Sequence, residues 1–279
     1  MPAVISRLLL YPVKGCRGVA LRTAQLASTG LAVGDIGDRE WVIVDDHSGF
    51  LSQRELPKMA LIETRLLPSA LRLSAPGMLS LDIPFESEGD VVRIRVWNDE
   101  LDAVTQGDLA DQWFGDFLGR RARLMRFDPL AKRLSKRQYT GATEAPYKFA
   151  DAFALLVTSE ASLAHLNTRL MANGHTPVDI DRFRPNIVID GVEAFEEDYA
   201  REVRIGDAVL ELVKPCVRCT VPSVDPARGE QGTEPGDTLA AYRDNAQAGG
   251  VTFGVNGIVA RGAGNEVRVG DEVELTLRF

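Results

Sequence analysis

The sequence predicts a β-rich, mixed α+β protein in which a few helices accompany two groups of strands. Short apolar runs separated by Gly, Pro, Ser or Asp recur along the chain, and this pattern is typical of closely spaced strands. Two segments carry instead the start and stop signals of helices. The length of 279 residues and the 45% hydrophobic content allow one large domain or two modest ones with ordinary globular cores.

Six short strands are predicted in the first part of the chain. They cover residues 5–11, 41–45, 60–66, 71–74, 79–83 and 91–96. Their close spacing favours an antiparallel barrel or sandwich. A helix is predicted next, from an acidic first turn at about Asp108 to Leu118, because Gly119 follows as a stop signal.

The second part is predicted to begin after a polar, basic stretch, residues 132–147, which is interpreted as a boundary or a mobile loop. A strand over residues 153–157 leads to a helix that is capped at Thr158-Ser159, runs through Met171 and closes at Asn173-Gly174. Further strands are predicted at residues 186–189, 202–205, 209–215, 251–259 and 272–277. Residues 203–212 and 267–275 share a strand, Gly-Asp turn, strand pattern, which predicts two similar β-hairpins in one barrel.

Charge and cysteine content narrow the class of partner and the compartment. The net charge of −8 argues against nucleic acid or an anionic membrane surface as a partner. No run approaches the ~20 apolar residues that span a bilayer, and the N-terminus lacks a cleavage site of the kind that signal peptides carry. Three cysteines are too few for a disulfide framework and one short of an iron–sulfur cluster. A cytoplasmic protein without its own cluster is expected.

One stretch of this acidic sequence is strongly basic. Residues 120–137 hold eight Lys and Arg side chains against a single Asp, Asp128. The stretch is either a solvated connecting segment or a docking patch for an acidic partner, and the composition leaves both open.

The pair Cys216 and Cys219, in a Cys-x-x-Cys segment after a strand, has four interpretations. A thioredoxin-like redox pair would open a helix, which Pro222 and the following Asp-Pro forbid. Half of a zinc site lacks its other ligands, since the three histidines stand at no ligand spacing. Two buried thiols and one thiolate ligand to a soft metal both remain, and spacing alone does not decide between them.

Two further segments could bind an anion. In the turn at Lys14-Gly15, backbone amides and an ammonium group could hold a phosphate, although a plain turn with a solvated cation explains it too. Arg184, before Pro185, and Asn186 could together bind a planar heterocycle and a phosphate. Alternatively, Arg184 forms a salt bridge with a neighbour.

Five motifs in order connect these segments. They are Tyr11-Pro-Val-Lys-Gly15, Gly37-Asp-Arg-Glu-Trp41, Ser159-Glu-Ala-Ser-Leu163, Arg182-Phe-Arg-Pro-Asn186 and Lys214-Pro-Cys-Val-Arg-Cys219 with Asp225-Pro226. The series resembles the MOSC-domain molybdoenzymes, namely the mitochondrial amidoxime-reducing component and its bacterial relatives, over essentially the whole chain. The resemblance implies an N-terminal β-barrel-like domain at residues 1–125 and a MOSC β-barrel with peripheral helices at residues 126–279.

The resemblance also implies a molybdenum–molybdopterin cofactor with Cys219 as metal ligand and catalytic residue. Cys216 is then structural, and Asp151 is a second catalytic residue that positions substrate or delivers protons. The implied cofactor contacts are Lys14, Gly15, Arg39, Asp151, Ala152, Phe153, Arg184, Asn186, Val217, Arg218 and Asn256. Relatives carry Ser or Thr where this chain has Ala152 and Phe153, and some carry Ser in place of Gly15, so the substrate pocket is expected to differ more than the cofactor site.

The function implied by the resemblance is reduction of N-hydroxylated compounds (amidoximes, hydroxylamines and N-hydroxy bases) to amines or amidines plus water. Electrons are expected from a separate ferredoxin, flavoprotein or cytochrome, for which residues 120–137 are the expected docking face. The competing hypothesis is a sulfur or molybdenum-cofactor carrier, in which Cys219 serves as a persulfide or metal-binding thiol.

Overall fold

The computed structural model describes residues 2–86 and 88–278, which form 22 strands, β1–β22, and four α-helices. The strands of the first half are β1 Ala3–Leu10, β2 Val19–Leu21, β3 Thr23–Ala27, β4 Gly30–Val33, β5 Ile36–Gly37, β6 Trp41–Val44, β7 Glu63–Leu66, β8 Ala70–Ser74, β9 Leu81–Pro84, β10 Val91–Val96, β11 Asp99–Thr105 and β12 Arg123–Phe127. Those of the second half are β13 Leu155–Ser159, β14 Ile187–Asp190, β15 Ala200–Ile205, β16 Ala208–Val217, β17 Val224–Asp225, β18 Glu230–Gln231, β19 Asp244–Asn245, β20 Gly250–Arg261, β21 Glu266–Arg268 and β22 Glu272–Leu277.

The described residues form few helices compared with strands. The α-helices are α1 Asp108–Leu118, α2 Arg137–Thr140, α3 Glu160–Ala172 and α4 Gly236–Arg243, and 3-10 helices cover Pro57–Leu61, Ile180–Phe183, Glu196–Tyr199 and Val221–Ser223. Both long predicted helices are present. Gly119 ends α1 in the left-handed conformation, and the Ser159 hydroxyl caps α3 by accepting from the Ser162 amide. No helix in the described ranges is long and apolar enough to cross a membrane.

The largest sheet closes on itself. In the described part of the chain, seven strands follow one another in the order β13, β14, β1, β22, β15, β16 and β20, and β20 pairs again with β13. The β13–β14 pairing is parallel and the others are antiparallel. The interior holds apolar side chains such as those of Leu155, Ile187, Leu210 and Val255. The predicted β-rich α+β class with a barrel is therefore confirmed.

The smaller sheets belong mainly to the first half. Their orders are β10-β11-β12-β6, β7-β8-β9 and β21-β3-β4-β5. Buried side chains such as Trp41, Met59 and Phe114 form the core between them and α1. The two halves share strands. β1 comes from the first half but is one of the seven strands of the barrel, and β21 comes from the second half but pairs with β3 of the first. The division at residue 125 stays a prediction.

Two predicted elements differ from the structure. The strand expected at residues 60–66 begins instead as the 3-10 helix Pro57–Leu61, since Pro57 sets its first turn, and becomes strand only at Glu63. The second predicted β-hairpin is absent from the described residues: β21 and β22 pair with different strands. The turn amides of Val269 and Gly270 donate to the Arg22 and Ile5 carbonyls rather than across the turn.

Residues 132–147, predicted as a boundary or a mobile loop, are held in place by contacts with other parts of the protein. Arg133 is buried and donates to the Lys148 and Ala150 carbonyls, and its Nη2 lies 2.8 Å from Asp99 Oδ2. Arg126, within β12, forms an ion pair with the buried Glu40. These internal contacts reduce the charge that residues 120–137 present as a surface patch.

Candidate functional site

A cavity of about 300 Å³ opens between the first half of the chain and the barrel. All twelve residues that the sequence singled out line it: Lys14, Gly15, Arg39, Asp151, Ala152, Phe153, Arg184, Asn186, Val217, Arg218, Cys219 and Asn256. They come from segments more than two hundred residues apart in the sequence, so the fold brings together what the sequence analysis had grouped. Their individual roles stay predictions.

Two arginines at the cavity share an unusual backbone conformation. Arg39 and Arg184 have φ angles of 50° and 57°, in the left-handed region that side chains disfavour. Both guanidinium groups lie over the Tyr11 ring, 4.4 Å and 4.3 Å from its centroid. Arg39 also donates to the Arg184 carbonyl at 3.1 Å. Backbone strain of this kind persists where the surrounding structure fixes a residue for a function.

The charges of these arginines are balanced unequally. Arg39 forms an ion pair with the buried Asp38. Arg184 Nη1 donates only to the Cys16 carbonyl, and Arg218 donates to the Phe183 carbonyl and to Cys216 Sγ. Among the described residues, neither Arg184 nor Arg218 has a carboxylate within ion-pair distance.

Part of each guanidinium also lacks a hydrogen-bond partner. Within the described residues, Arg184 Nη2 and Arg218 Nε are buried and unbonded. Burial lowers the pKa of Arg184, and the neighbouring Arg39 charge lowers it further. Buried charges normally have compensating partners, so this wall of the cavity fits an anionic ligand with oxygen acceptors.

Lys14 and Asp151 form an ion pair at the same cavity, with Nζ and Oδ1 2.5 Å apart. Lys14 also donates to the Phe149 carbonyl at 2.8 Å, and Asp151 accepts from Trp97 Nε1 at 2.9 Å. Enclosure by the cavity raises the pKa of Asp151, but the Lys14 ammonium and the Trp97 N–H outweigh it and hold that pKa well below its usual range. Asp151 is therefore a carboxylate at neutral pH and an acceptor of hydrogen bonds.

Cys219 is exposed at the cavity, two residues after the end of β16. Cys216, predicted to be structural, is half-buried in β16, and its sulfur accepts from Arg218 Nη1 at 3.1 Å. The described residues contain no group of three or more His, Cys, Asp and Glu that could hold a metal ion.

Two of the remaining predicted contacts are Asn186 and Gly15. Asn186 is buried, its Oδ1 accepts from Leu156 N and Arg39 Nη1, and its Nδ2 donates to the Leu9 carbonyl. It therefore braces Arg39. Gly15 has a φ of 85°, and an added Cβ would lie 2.6 Å from the Met59 methyl carbon, so a relative's Ser would not fit here unchanged.

Four residues complete the predicted set. The Ala152 carbonyl accepts from Ser135 Oγ at 2.8 Å, and Phe153 is buried in an edge-to-face contact with Tyr139. Val217 is partly exposed, whereas Asn256 donates to the Lys214 carbonyl at 3.3 Å. These contacts supply shape rather than charge.

Several lining residues were missed by the sequence analysis. They are chiefly aromatic and polar side chains of the segment after β6 and of the β10–β11 turn: Phe50, Ser52, Gln53, Arg54 and Trp97. Trp97 could have been noticed as a large aromatic residue between two strands, before Asn98-Asp99. The other side chains stand in no pattern that indicates a site.

Comparison with known proteins gives two family matches and a set of relatives. Residues 2–121 match the MOSC N-terminal beta barrel domain, and residues 144–274 match the MOSC domain. Mitochondrial amidoxime reducing component 2 of Bos taurus is 35% identical over 245 residues, which cover 86% of this chain and 72% of that protein. The component 2 protein of Rattus norvegicus is 34% identical over 247 residues, and component 1 of Homo sapiens is 33% identical over 245, each with the same two coverages.

Proposed function

Because the chain belongs to the MOSC-domain family of amidoxime-reducing components, we propose that it is an enzyme that reduces N-hydroxylated compounds with a molybdenum cofactor. The resemblance inferred from the five motifs is thereby confirmed. The reaction consumes two electrons and two protons, releases the oxygen of the N–OH group as water and leaves an amine or amidine. The MOSC domain family is associated with molybdenum-cofactor binding.

The observation that carries the proposal is the pair of half-buried arginines without carboxylate partners among the described residues. Arg184 and Arg218 each keep one buried, unbonded nitrogen at the cavity. A molybdopterin carries a phosphate and is anionic, so these groups would hold it together with Lys14 and Arg39. Cys219 supplies the thiolate that a soft metal prefers. When bound, the molybdenum centre supplies the two-electron step at the N–OH oxygen.

The protein's own residues bind and orient the reactants. Asp151, held by Lys14 and Trp97, presents a carboxylate that can accept a hydrogen bond from a substrate N–H or O–H group. Its lowered pKa disfavours the protonated form, so we assign it to positioning rather than to proton delivery. Arg39 Nη1 donates a hydrogen bond to Asn186 Oδ1, and Gln53 Nε2 donates to the Gly15 carbonyl at 2.7 Å. These bonds hold the cofactor-facing segments in place.

The test is metal and pterin content, measured beside reduction of benzamidoxime with an artificial electron donor, for the wild type, Cys219→Ser and Cys216→Ser. We expect near-stoichiometric molybdenum in the wild type and loss of reduction only in Cys219→Ser. Pterin should persist in Cys219→Ser because the cations still hold it. Absence of molybdenum and pterin from protein made in a host that synthesises the cofactor would refute the proposal.

The same experiment addresses the carrier hypothesis. A carrier would bind cofactor weakly and would form a persulfide on Cys219 without reducing N-hydroxylated compounds. The relatives are named for amidoxime reduction, which favours the enzyme. The separate electron donor of ferredoxin, flavoprotein or cytochrome type and the cytoplasmic location are further parts of the proposal. They rest on the cysteine count, which is too low for a disulfide framework or for an iron–sulfur cluster.

A further inference from the structure

Trp97 lies at the tip of the β10–β11 hairpin in a backbone conformation that its side chain disfavours. Val96 pairs with Asp99, so Trp97 and Asn98 form a two-residue turn. The φ angle of Trp97 is 58°, whereas turns of this length favour Asn, Asp or Gly at such an angle. A bulky residue kept in the left-handed region points to a function rather than to a folding preference.

The Trp97 side chain reaches from the hairpin to the cavity. Its Nε1–H donates to Asp151 Oδ1 at 2.9 Å. Its ring centroid lies 4.9 Å from that of Phe50, and the Arg54 guanidinium lies 4.4 Å from the indole centroid. All four residues line the cavity, yet Trp97 is still 41% exposed. Part of the indole is therefore free to contact a ligand.

The cavity thus offers two chemically different surfaces. Under the proposed function, the cationic surface around Arg184 and Arg218 takes the anionic cofactor. The surface of Trp97 and Phe50 offers apolar ring faces beside the Arg54 guanidinium, and it adjoins Asp151, the acceptor assigned to the substrate. The side chain best placed to meet a substrate's apolar part is therefore Trp97.

We propose that Trp97, with Phe50 and Arg54, forms a subsite that selects planar aromatic N-hydroxylated substrates over saturated ones of similar size. The inference rests on the proposed function and adds the residue that sets its specificity. A flat ring would stack on the exposed indole while its N-hydroxylated group lies beside Asp151. Aromatic pairing beyond simple burial corresponds to about three- to tenfold in binding, so a preference of that size is expected.

The kinetic test compares benzamidoxime with cyclohexanecarboxamidoxime, which replaces the flat ring with a saturated one. Trp97→Leu should raise KM for benzamidoxime about three- to tenfold and leave KM for the saturated compound within about twofold. Trp97→Phe keeps an aromatic ring but loses the N–H, so the preference should persist while kcat falls for both compounds. Tyr199→Leu is the control, because Tyr199 is 67% exposed and does not line the cavity.

A binding test that needs no turnover uses the protein's own fluorescence. Trp41 and Trp113 are buried, at 0% and 6% exposure, so Trp97 is the accessible one of the three tryptophans. Benzamidoxime added to the loaded, oxidised protein without electron donor should quench fluorescence in a saturable way. Trp97→Phe should abolish that change, and the saturated compound should produce little of it.

The outcomes separate this inference from the proposed function. If Trp97→Leu lowers kcat for both compounds equally and leaves their KM ratio unchanged, Trp97 only positions Asp151 and the subsite is wrong. If benzamidoxime fails to quench the wild type although it is reduced, the subsite is wrong and the function stands. If neither compound is reduced, the function fails, and the titration by itself then decides whether aromatic ligands bind at Trp97.

Discussion

Replacing Arg184 with methionine should separate ligand binding from stability. Arg184 is half-buried at the cavity, its Nη2 is enclosed and unbonded, and within the described residues its charge has no carboxylate partner. Replacement of buried ion pairs by apolar side chains of similar size is often neutral or stabilising, by about 1–4 kcal/mol, and an enclosed charge without a partner should gain by the same removal of its desolvation cost. Against this, the Cys16 carbonyl loses its donor at 2.6 Å, which costs about 1–3 kcal/mol. The two effects nearly cancel, so the cofactor-free variant should unfold within about 1 kcal/mol of the wild type.

Cofactor retention should respond very differently. A hydrogen bond to a charged group contributes about 1.5–3 kcal/mol, which corresponds to roughly 10- to 100-fold in affinity. The matched control is Arg182→Met, two residues away. Arg182 donates to the Pro222 and Val224 carbonyls and does not line the main cavity. That control should lose about 2 kcal/mol or more of stability, because two carbonyls lose their donor, and should keep the cofactor.

The assays are urea unfolding of cofactor-free protein and pterin content of protein purified from a host that makes the cofactor. We expect pterin to fall in Arg184→Met alone and unfolding free energy to fall in Arg182→Met alone. Equal destabilisation of both variants with unchanged pterin in Arg184→Met would show that Arg184 is a structural residue. The interpretation of its unbonded nitrogen as a ligand group would then be wrong.

Two pH-dependent predictions follow from carboxyl groups whose pKa values are shifted in opposite directions. The folded-state pKa of Asp151 lies below its unfolded value of about 3.9, so its pairing with Lys14 stabilises the protein above about pH 4 and is lost as the pH falls further. Asp151→Asn should therefore be less stable than the wild type between pH 5 and 8, and the difference should shrink below pH 4 in urea unfolding; a constant difference would contradict this. Burial raises the pKa of Glu197, whose carboxyl accepts from groups at the start of α3, so its ionisation weakens the fold as the pH rises through the raised pKa. Glu197→Gln should match the stability of the wild type near pH 4 and exceed it at pH 8. If the difference in stability between the two proteins is the same at both pH values, burial does not raise the pKa of Glu197.

Elements governed by local contacts were predictable, and those governed by distant ones were not. The bounds of β10 and α1 were predicted to the residue, because alternation and the Gly119 cap are local features. Residues 267–275 carry the same turn pattern as residues 203–212 but fold otherwise, since Arg22 and Ile5 supply acceptors for the turn amides. No pattern within nine residues reports acceptors more than two hundred residues away.

The residues of the candidate site also fall into those that the sequence could predict and those that it could not. Motifs identified Arg39, Arg184 and Cys219 because residue type and order are visible in the sequence. The sequence analysis did not predict the aromatic surface, because Phe50 and Trp97 come from unrelated loops that meet only after folding. Arg133 shows the opposite error: counted as part of a basic patch, it is buried against Asp99 because the loop that carries it folds inward.

The cationic surface is organised by the backbone before any ligand binds. The Lys14 amide donates to the Trp41 carbonyl at 2.8 Å, and the Arg39 amide donates to the Tyr11 carbonyl at 2.8 Å. Tyr11 directly follows β1, a strand of the closed barrel, so the segment that bears Lys14 is anchored there. A rigid, preformed array of cations lowers the ordering cost of binding an anion. The strain at Arg39 and Arg184 is then offset by the contacts that hold them, such as the Tyr11 ring below both guanidinium groups. The binding free energy of the ligand is therefore not spent on assembling its site.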